Sequence, residues 1–149
     1  MTPDDRPTSA QDIYSAEERR EDALTFLGKK GAVELLCEVD QWEGSRFTDL
    51  KSMVPVSSST LSKRLEEAVD CKILEIDIAS SEYGTQKRYV FTTPGKQIRN
   101  KMQTQGLIRV YHEYQAYQKE LKAQKGTLEE WIEEKYLTTP ADRDPFMRE

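Results

Sequence analysis

The chain is poor in cysteine and histidine: Cys37, Cys71 and His112 are the only such residues among 149. Two cysteines are too few for a disulfide framework, and neither has a neighbour at metal-ligand spacing. A single histidine does not supply a zinc site of the usual type. We therefore expect no disulfide-rich scaffold, no bound metal and no cofactor.

Enzyme motifs and long apolar runs are missing as well. The sequence contains no Ser/His/Asp set, no P-loop and no GxGxxG stretch, so we expect no enzyme. No apolar run approaches the roughly 18 residues needed to cross a bilayer. Residues 1–20 are acidic and polar, without the apolar core of a signal peptide. These absences predict a cytoplasmic protein with no membrane partner.

Charge is abundant but unevenly placed. Residues 1–44 carry five basic and eleven acidic groups, residues 45–103 carry ten and seven, and residues 104–149 carry seven and nine. The middle third therefore has a net charge of +3 inside a chain whose net charge is −5. Because the asymmetry matters more than the total, a nucleic-acid partner for the middle third stays open.

Helical spacing and helix-stop residues predict a helical first half. Residues 1–14 are rich in Pro, Asp, Thr and Ser and are expected to be disordered. A first helix is expected to begin at Ser15, which can cap it, and to end at Gly28. A second helix is expected within residues 31–42, where Cys37 lies in an apolar stretch and acts as a buried small hydrophobe.

The run VPVSSSTLSKRLEEAVD, residues 54–70, places four hydroxyl side chains before an apolar stripe. Serine and threonine favour helix entrances over helix interiors. We expect Ser57 to cap a helix of about 13 residues. A short strand at residues 46–47 and a short helix from Thr48 to Pro55 precede it. Its inward stripe is Leu61, Leu65 and Ala68, with Val69 beside them.

After residue 73 the apolar residues recur every second position instead of at helical spacing. Apolar and charged residues alternate over 74–78, and aromatic residues recur two apart at 89 and 91. This alternation predicts two half-buried strands joined by a polar tip at 80–86. The inward positions of the first strand are Leu74, Ile76 and Ile78.

A long helical pattern follows the hairpin. Pro94 suits its first turn, and Gly106 marks a break. Gly126 is expected to stop the pattern, and Thr127 to cap a last short helix. Residues 139–149 form a tail.

The order helix, short strand, helix, helix, two-stranded wing is that of a winged helix-turn-helix domain. Within it, RFTDLKSMVPVSSSTLSKRLEEAVDCKILE and the later YVFTTPG resemble the HxlR-type transcriptional regulators, relatives of the MarR and PadR groups. That family typically has an Arg-Phe-x-x-Leu helix, a Pro-x-Ser turn, Leu-x-x-Arg-Leu and a Tyr-x-Leu-Thr-x-x-Gly wing end. The resemblance spans about residues 27–95 and implies a mainly α fold with a small β-hairpin wing.

Three positions depart from that family's pattern. Gly31 stands where a tryptophan usually follows the lysine of the second helix. No cysteine precedes that helix, as one does in redox-sensing members, and this argues against thiol sensing. Lys72 replaces the glycine that commonly ends the recognition helix, so a left-handed non-glycine residue is expected there.

The resemblance and the periodicities together divide the chain into four parts. They are a disordered segment over 1–14, the winged helix-turn-helix domain with its preceding helix over 15–95, dimerisation helices over 96–138 and the tail over 139–149.

The candidate base-reading residues lie on the outward side of the helix that Ser57 caps. The N-terminal half of a recognition helix enters the major groove, where small hydroxyls allow close approach and lysine reaches guanine. Glu66 and Asp70 are expected farther out of the groove. In the alternative interpretation Ser57 is only a cap and the rest is solvated surface. The candidates are Ser58, Ser59, Thr60, Ser62 and Lys63, with Arg64 as a flanking phosphate contact.

Further backbone contacts are expected from Arg46 and from the wing, because basic side chains there position a protein on phosphates without specifying sequence. The wing candidates are Tyr83, Lys87 and Arg88.

A stripe of tyrosines at helical spacing runs along the C-terminal helical pattern. Such a stripe favours a dimer seam over an aromatic ligand site. A dimer can place two recognition helices on a pseudo-palindromic operator, and the resemblance implies pairing through long terminal helices. The expected interface residues are Leu107, Tyr111, Tyr114, Tyr117, Leu121 and Trp131.

The sequence therefore favours a homodimeric, sequence-specific DNA-binding transcriptional regulator. Two alternatives stay open. One is a winged-helix protein–protein interaction module, suggested by the acidic net charge. The other is a ligand- or redox-responsive sensor regulator, whose small-molecule effector the sequence does not identify.

Overall fold

A computed structural model describes residues 10–81 and 84–136 of the chain. It confirms a mainly helical architecture with one two-stranded antiparallel hairpin. The elements of the described ranges are α1 (Ala10–Leu27), α2 (Ala32–Glu38), α3 (Phe47–Met53), α4 (Ser58–Asp70), β1 (Leu74–Ser81), β2 (Gly84–Phe91), α5 (Thr93–Thr104) and α6 (Leu107–Glu134). No helix in those ranges is long and apolar enough to cross a membrane.

The chain forms two compact units that divide between Leu107 and Ile108. The first unit holds α1 to α5 and the hairpin, and the second holds α6. The predicted division after residue 95, with dimerisation helices over 96–138, stays a prediction.

The core of the first unit orients α4. Helix α4 contacts α1, α2 and β1, and its stripe of Leu61, Leu65 and Ala68 is fully buried, as predicted. Burying a leucine side chain contributes roughly 1.5–3 kcal/mol, so this stripe fixes which side of α4 faces outward. The largest fully buried side chains of the core are Leu35, Leu36, Val39, Leu50, Leu61, Leu65, Ile73 and Leu74.

The hairpin packs on the core through the residues nearest its base. Its register pairs Leu74 with Phe91 and Ser81 with Gly84, and both residues of the first pair are buried. Farther out, Ile76 is 42% and Ile78 is 63% exposed. The predicted half-burial was therefore wrong for these two isoleucines, because the wing projects beyond the core.

The short third strand is a single bridge between Ser45 and Tyr89, one residue earlier than predicted. Gly44 precedes it at φ 76°, in the left-handed region where glycine is favoured. A Cβ at Gly44 would also lie 2.6 Å from the carbonyl oxygen of Tyr89. The turn thus requires glycine so that it can approach the wing.

Several predicted boundaries were wrong. Helix α1 begins at Ala10 rather than Ser15, since no glycine or proline interrupts it before Leu27. Helix α3 begins at Phe47 with Arg46 as N-cap, rather than at Thr48. The predicted disorder of residues 1–9 and the tail over 139–149 lie outside the described residues.

Two predictions for the C-terminal helices have different outcomes. The predicted break is confirmed, since α5 ends at Thr104 and Gly106 has φ 84°. The predicted stop at Gly126 and the Thr127 cap were wrong, because α6 continues through both. One interior glycine costs a helix only about 1 kcal/mol, and the Thr127 hydroxyl donates to the carbonyl of Ala123 at 3.1 Å.

Candidate nucleic-acid interface

The serine run of α4 forms a hydroxyl network at the helix start. Ser57 is the N-cap, as predicted, and its Oγ accepts from the backbone N–H of Thr60 at 3.2 Å. The same Oγ donates to the Thr60 hydroxyl at 3.0 Å and lies 3.2 Å from that of Ser59. Ser58 and Ser62 are exposed outside this network. The cap therefore engages three hydroxyls of the run rather than one.

The outward side of α4 borders an open cavity of about 400 Å³. Four of the five residues around it are predicted base readers. The lining residues are Ser59, Thr60, Ser62, Lys63 and Glu66.

A second groove of about 210 Å³ separates α4 from the wing. Ser62 and Glu66 line it as well, so the two cavities are neighbours along α4. From the wing come Ile76, Lys87 and Tyr89, which project to one side of the hairpin because Tyr89 is paired with Ile76 and Lys87 with Ile78. The Lys87 ammonium lies 5.4 Å from the centre of the Tyr89 ring.

We call the surface lined by these two cavities the groove face. Its charged and hydroxyl side chains on α4, with the lysine of the wing, are Ser59, Thr60, Ser62, Lys63, Glu66, Asp70 and Lys87. The sequence placed Glu66 and Asp70 toward the outside of the groove, whereas the structure places Glu66 in both cavities and Asp70 in the second. Ile76 was expected to face inward and instead lines the groove. The wing packs beside α4, and this tertiary arrangement, which the sequence does not define, brings these side chains to the groove.

Arg64 is largely buried and bonded to other parts of the protein, whereas a phosphate contact is expected to be exposed. Its side chain is 14% exposed. Nε donates to the backbone carbonyl of Lys30 and Nη1 to Glu67, both at 2.7 Å. The Glu67 carboxylate also accepts a hydrogen bond from the Lys29 ammonium at 2.8 Å. These bonds join α4 to the segment after α1 and engage the guanidinium that the sequence analysis expected at a phosphate.

Replacing Glu67 with glutamine is expected to lower the free energy of unfolding by about 1–2 kcal/mol at neutral pH, because two cations lose their carboxylate. The hydrogen bond from Lys29, with that from Arg64, holds the pKa of Glu67 below its ordinary value of 4.5. A lowered pKa in the folded state means that the stabilisation is complete above this value and is lost as pH falls through the folded pKa.

Urea denaturation of wild type and Glu67→Gln at pH 7 and pH 3 measures this effect. The difference between the two proteins should shrink at pH 3. Glu66→Gln, one residue away and exposed, is the control and should change stability by less than about 0.5 kcal/mol. Equal effects of the two substitutions at pH 7 would contradict the assignment.

Of the predicted backbone contacts, Lys87 lies on the groove face, whereas Arg46 and Arg88 do not line its cavities. Arg46 is exposed and pairs with Asp49 at 3.1 Å. Arg88 alternates to the opposite side of the wing from Lys87 and borders an acidic cavity with Asp40 and Asp49. Tyr83 lies outside the described residues.

Helix α6 carries an exposed apolar row whose first four members are separated by four, three and four residues, as in a coiled-coil seam, and whose last two follow after steps of seven and three. Of the predicted interface residues, Tyr117 is 75% and Leu121 is 70% exposed. Tyr111 is buried and Leu107 half-buried, so neither belongs to the row. The row consists of Val110, Tyr114, Tyr117, Leu121, Leu128 and Trp131.

Both thiols are held in the protonated form. Burial raises the pKa of Cys37 to about 11 and also raises the pKa of Cys71 above its ordinary value. The predicted burial of Cys37 is confirmed. Because the thiolate is the reactive form of cysteine, this arrangement opposes a redox-sensing role for either residue.

Comparison with known proteins identifies relatives of this arrangement. The family model described as HxlR-like helix-turn-helix matches residues 26–118. No curated protein matches the chain.

Two solved structures are similar to parts of the chain. One is described as a possible HxlR family transcriptional factor from Thermoplasma volcanium GSS1; it is 26% identical, covers 60% of this chain and 81% of its own, and has a TM-score of 0.46. The other is diamide-treated YodB from B. subtilis, which is 25% identical, covers 58% of this chain and 87% of its own, and has a TM-score of 0.44.

Proposed function

The chain belongs to the HxlR-like helix-turn-helix family, and from this premise we propose that it is a homodimeric, sequence-specific DNA-binding regulator of transcription. The observation that carries the proposal is the groove face. A capped helix presents hydroxyls and a lysine outward, beside a wing that contributes a second lysine. In the proposed complex α4 enters the major groove and the wing lies on the backbone or in the minor groove.

The chemistry of the groove face suits base reading. Ser58, Ser59 and Ser62 are short enough to let the helix approach base edges, and a hydroxyl can donate to or accept from several bases. Thr60 keeps its proton for donation because its oxygen already accepts from Ser57. Lys63 can donate to guanine, and Glu66 can accept from the N4 amine of cytosine.

Phosphate contacts are assigned to Lys87 and Arg46. Lys87 borders the groove, and the ion pair of Arg46 with Asp49 is exposed. Such pairs are worth only about 0–1 kcal/mol, so the guanidinium can exchange its partner for a phosphate. Arg64 and Arg88 are omitted because their partners hold them elsewhere.

Replacing Lys87 with glutamine is expected to weaken binding to all duplexes by a similar factor and to reduce the salt slope of log affinity by about 1, since one phosphate contact is lost. Fluorescence anisotropy at several salt concentrations measures both effects. Lys101→Gln on α5 is the control. A change in preference between operator and unrelated DNA would contradict a pure phosphate role.

The dimer is proposed to form through the apolar row of α6. A solvent-exposed stripe of tyrosine, leucine and tryptophan at coiled-coil spacing suits burial against the same helix of a second copy. Two recognition helices about 34 Å apart can then read two half-sites in successive major grooves.

Replacing Leu121 with aspartate is expected to dissociate the dimer, because the substitution buries a charge at the centre of the row. Sedimentation equilibrium should give at least a tenfold weaker association. Ala123→Asp, which adds the same charge about 200° around the helix, is the matched control and should leave the dimer intact. Equal association of both variants with wild type would refute this interface.

A genome-wide map of bound DNA tests the proposed function. We expect enriched fragments that share a pseudo-palindrome with half-sites about 34 Å apart. A map without enriched DNA, together with no mobility shift of the region upstream of the protein's own gene at low salt, would favour a winged-helix protein–protein interaction module instead.

A further inference from the structure

A cavity of about 230 Å³ lies away from the groove face, between the turn after α2, the end of β2 and the first turns of α5. All its lining residues belong to the first unit. Its walls combine two cations, two amides and two aromatic rings. They are Lys96, Arg99, Asn100, Gln41, Trp42 and Phe91.

The cations of this cavity lack anionic partners. Lys96 and Arg99 are one helical turn apart on α5, and no salt bridge within the described part of the chain engages either of them. Arg99 donates from Nη1 to Gln103 at 3.1 Å, but its Nε is buried with no hydrogen-bond partner. Like charges one helical turn apart on a helix repel each other, so this pair favours an anion in the cavity between them.

Asp40 lies near the cavity but does not neutralise it. Its Oδ1 accepts from the backbone N–H groups of Trp42 and Glu43, both at 2.8 Å. These two bonds are the main reason that the pKa of Asp40 is low, and Arg99 contributes less. No salt bridge in the described part of the chain joins Asp40 to Lys96 or Arg99, so this carboxylate holds neither cation.

The aromatic walls differ in exposure. Phe91 is buried at the base of the wing, whereas Trp42 is 84% exposed. The two bonds to Asp40 position the turn that carries the indole. A tryptophan left in water at the edge of a cationic cavity offers a face on which a flat ring can stack.

We propose that this cavity binds a small aromatic carboxylate. The carboxylate lies against Lys96 and Arg99, the amides of Gln41 and Asn100 complete its hydrogen bonds, and the ring stacks on the exposed indole of Trp42. The volume is below the roughly 300–1,000 Å³ of sites for drug-sized ligands, which excludes burial of a nucleotide. The cations disfavour a neutral aromatic compound, and the two rings disfavour an ion without an apolar part.

Tryptophan fluorescence tests this proposal on the full chain without DNA, so the result is independent of the proposed function. Trp42 and Trp131 are the two tryptophans, and Trp131→Phe leaves Trp42 as the single reporter. Titration with benzoate should give a saturable change in Trp42 emission. Benzamide, acetate and inorganic phosphate should each bind at least tenfold more weakly.

Variants locate the site. Arg99→Gln and Lys96→Gln should each weaken benzoate binding at least tenfold, Arg99→Lys should retain part of it, and Lys101→Gln on the same helix should match the parent. Circular dichroism verifies that each variant is folded. Absence of a saturable change, equal binding of benzamide or phosphate, or unaltered binding by folded Arg99→Gln and Lys96→Gln would each overturn the proposal.

Discussion

Replacing Gly95 with alanine is expected to lower the free energy of unfolding by about 3 kcal/mol, because the new methyl group has no space. A Cβ at this position would overlap the backbone carbonyl oxygen of Ile73. That oxygen cannot move freely, since it accepts from the backbone N–H of Thr92 at 3.1 Å. The Thr92 hydroxyl lies 3.1 Å from the same oxygen and 2.5 Å from the neighbouring carbonyl of Lys72. Thr92 is also the N-cap of α5 and accepts from the N–H of Gly95 at 3.0 Å.

Gly95 thus lies where α5 joins the turn between α4 and β1, and the overlap disturbs the base of both the recognition helix and the wing. Urea denaturation monitored by circular dichroism measures the loss. Gly126→Ala is the matched control, because a Cβ there meets nothing within 4 Å and should stabilise α6 by about 0.5–1 kcal/mol. A Gly95→Ala loss below about 1 kcal/mol would refute the close approach.

Placing glutamates at Ser59 and Ser62 together is expected to reduce affinity for the operator by about 100-fold or more. Each disrupted base contact costs about 1–3 kcal/mol, and the new carboxylates would repel the phosphates beside the groove. Ser62 lines both cavities of the groove face and Ser59 lines one, so the double substitution acts at the proposed centre of recognition.

Anisotropy titrations with a labelled operator duplex measure this loss. The control adds the same two charges at Thr25 and Gln97, which are exposed on α1 and α5, and should change affinity by less than threefold. Thermal unfolding verifies that both double variants are folded. An operator affinity of the Ser59→Glu/Ser62→Glu protein within threefold of that of wild type would show that α4 does not lie in the DNA interface.

Features set by neighbouring residues could be predicted from the sequence. The Ser57 cap, the Leu61–Leu65–Ala68 stripe and the hairpin follow from helix-capping chemistry and from periods of 3.6 and 2. The left-handed Lys72, at φ 66°, could be predicted as well, because the chain must reverse after α4 without the usual glycine.

Features that depend on tertiary contacts could not be predicted from the sequence. The helical pattern predicts an exposed Arg64. In the folded chain its side chain donates to the carbonyl of Lys30 and to the carboxylate of Glu67, and the sequence alone does not show these contacts. The alternation of apolar and charged residues predicts that Ile76 and Ile78 face the core. It does not show that the wing extends beyond the core at these positions. Gly126 resembles a helix stop, but one glycine is a weak penalty against a 28-residue helix.

The salt dependence of binding to duplex DNA tests the central claim most directly. Log affinity for an operator from the genome-wide map should fall linearly with log salt concentration, with a slope of about −0.9 for each phosphate contacted. Unrelated DNA should bind more weakly with a comparable slope. Affinity independent of salt, or no preference for the operator at any salt concentration, would contradict a sequence-specific DNA-binding function for the groove face.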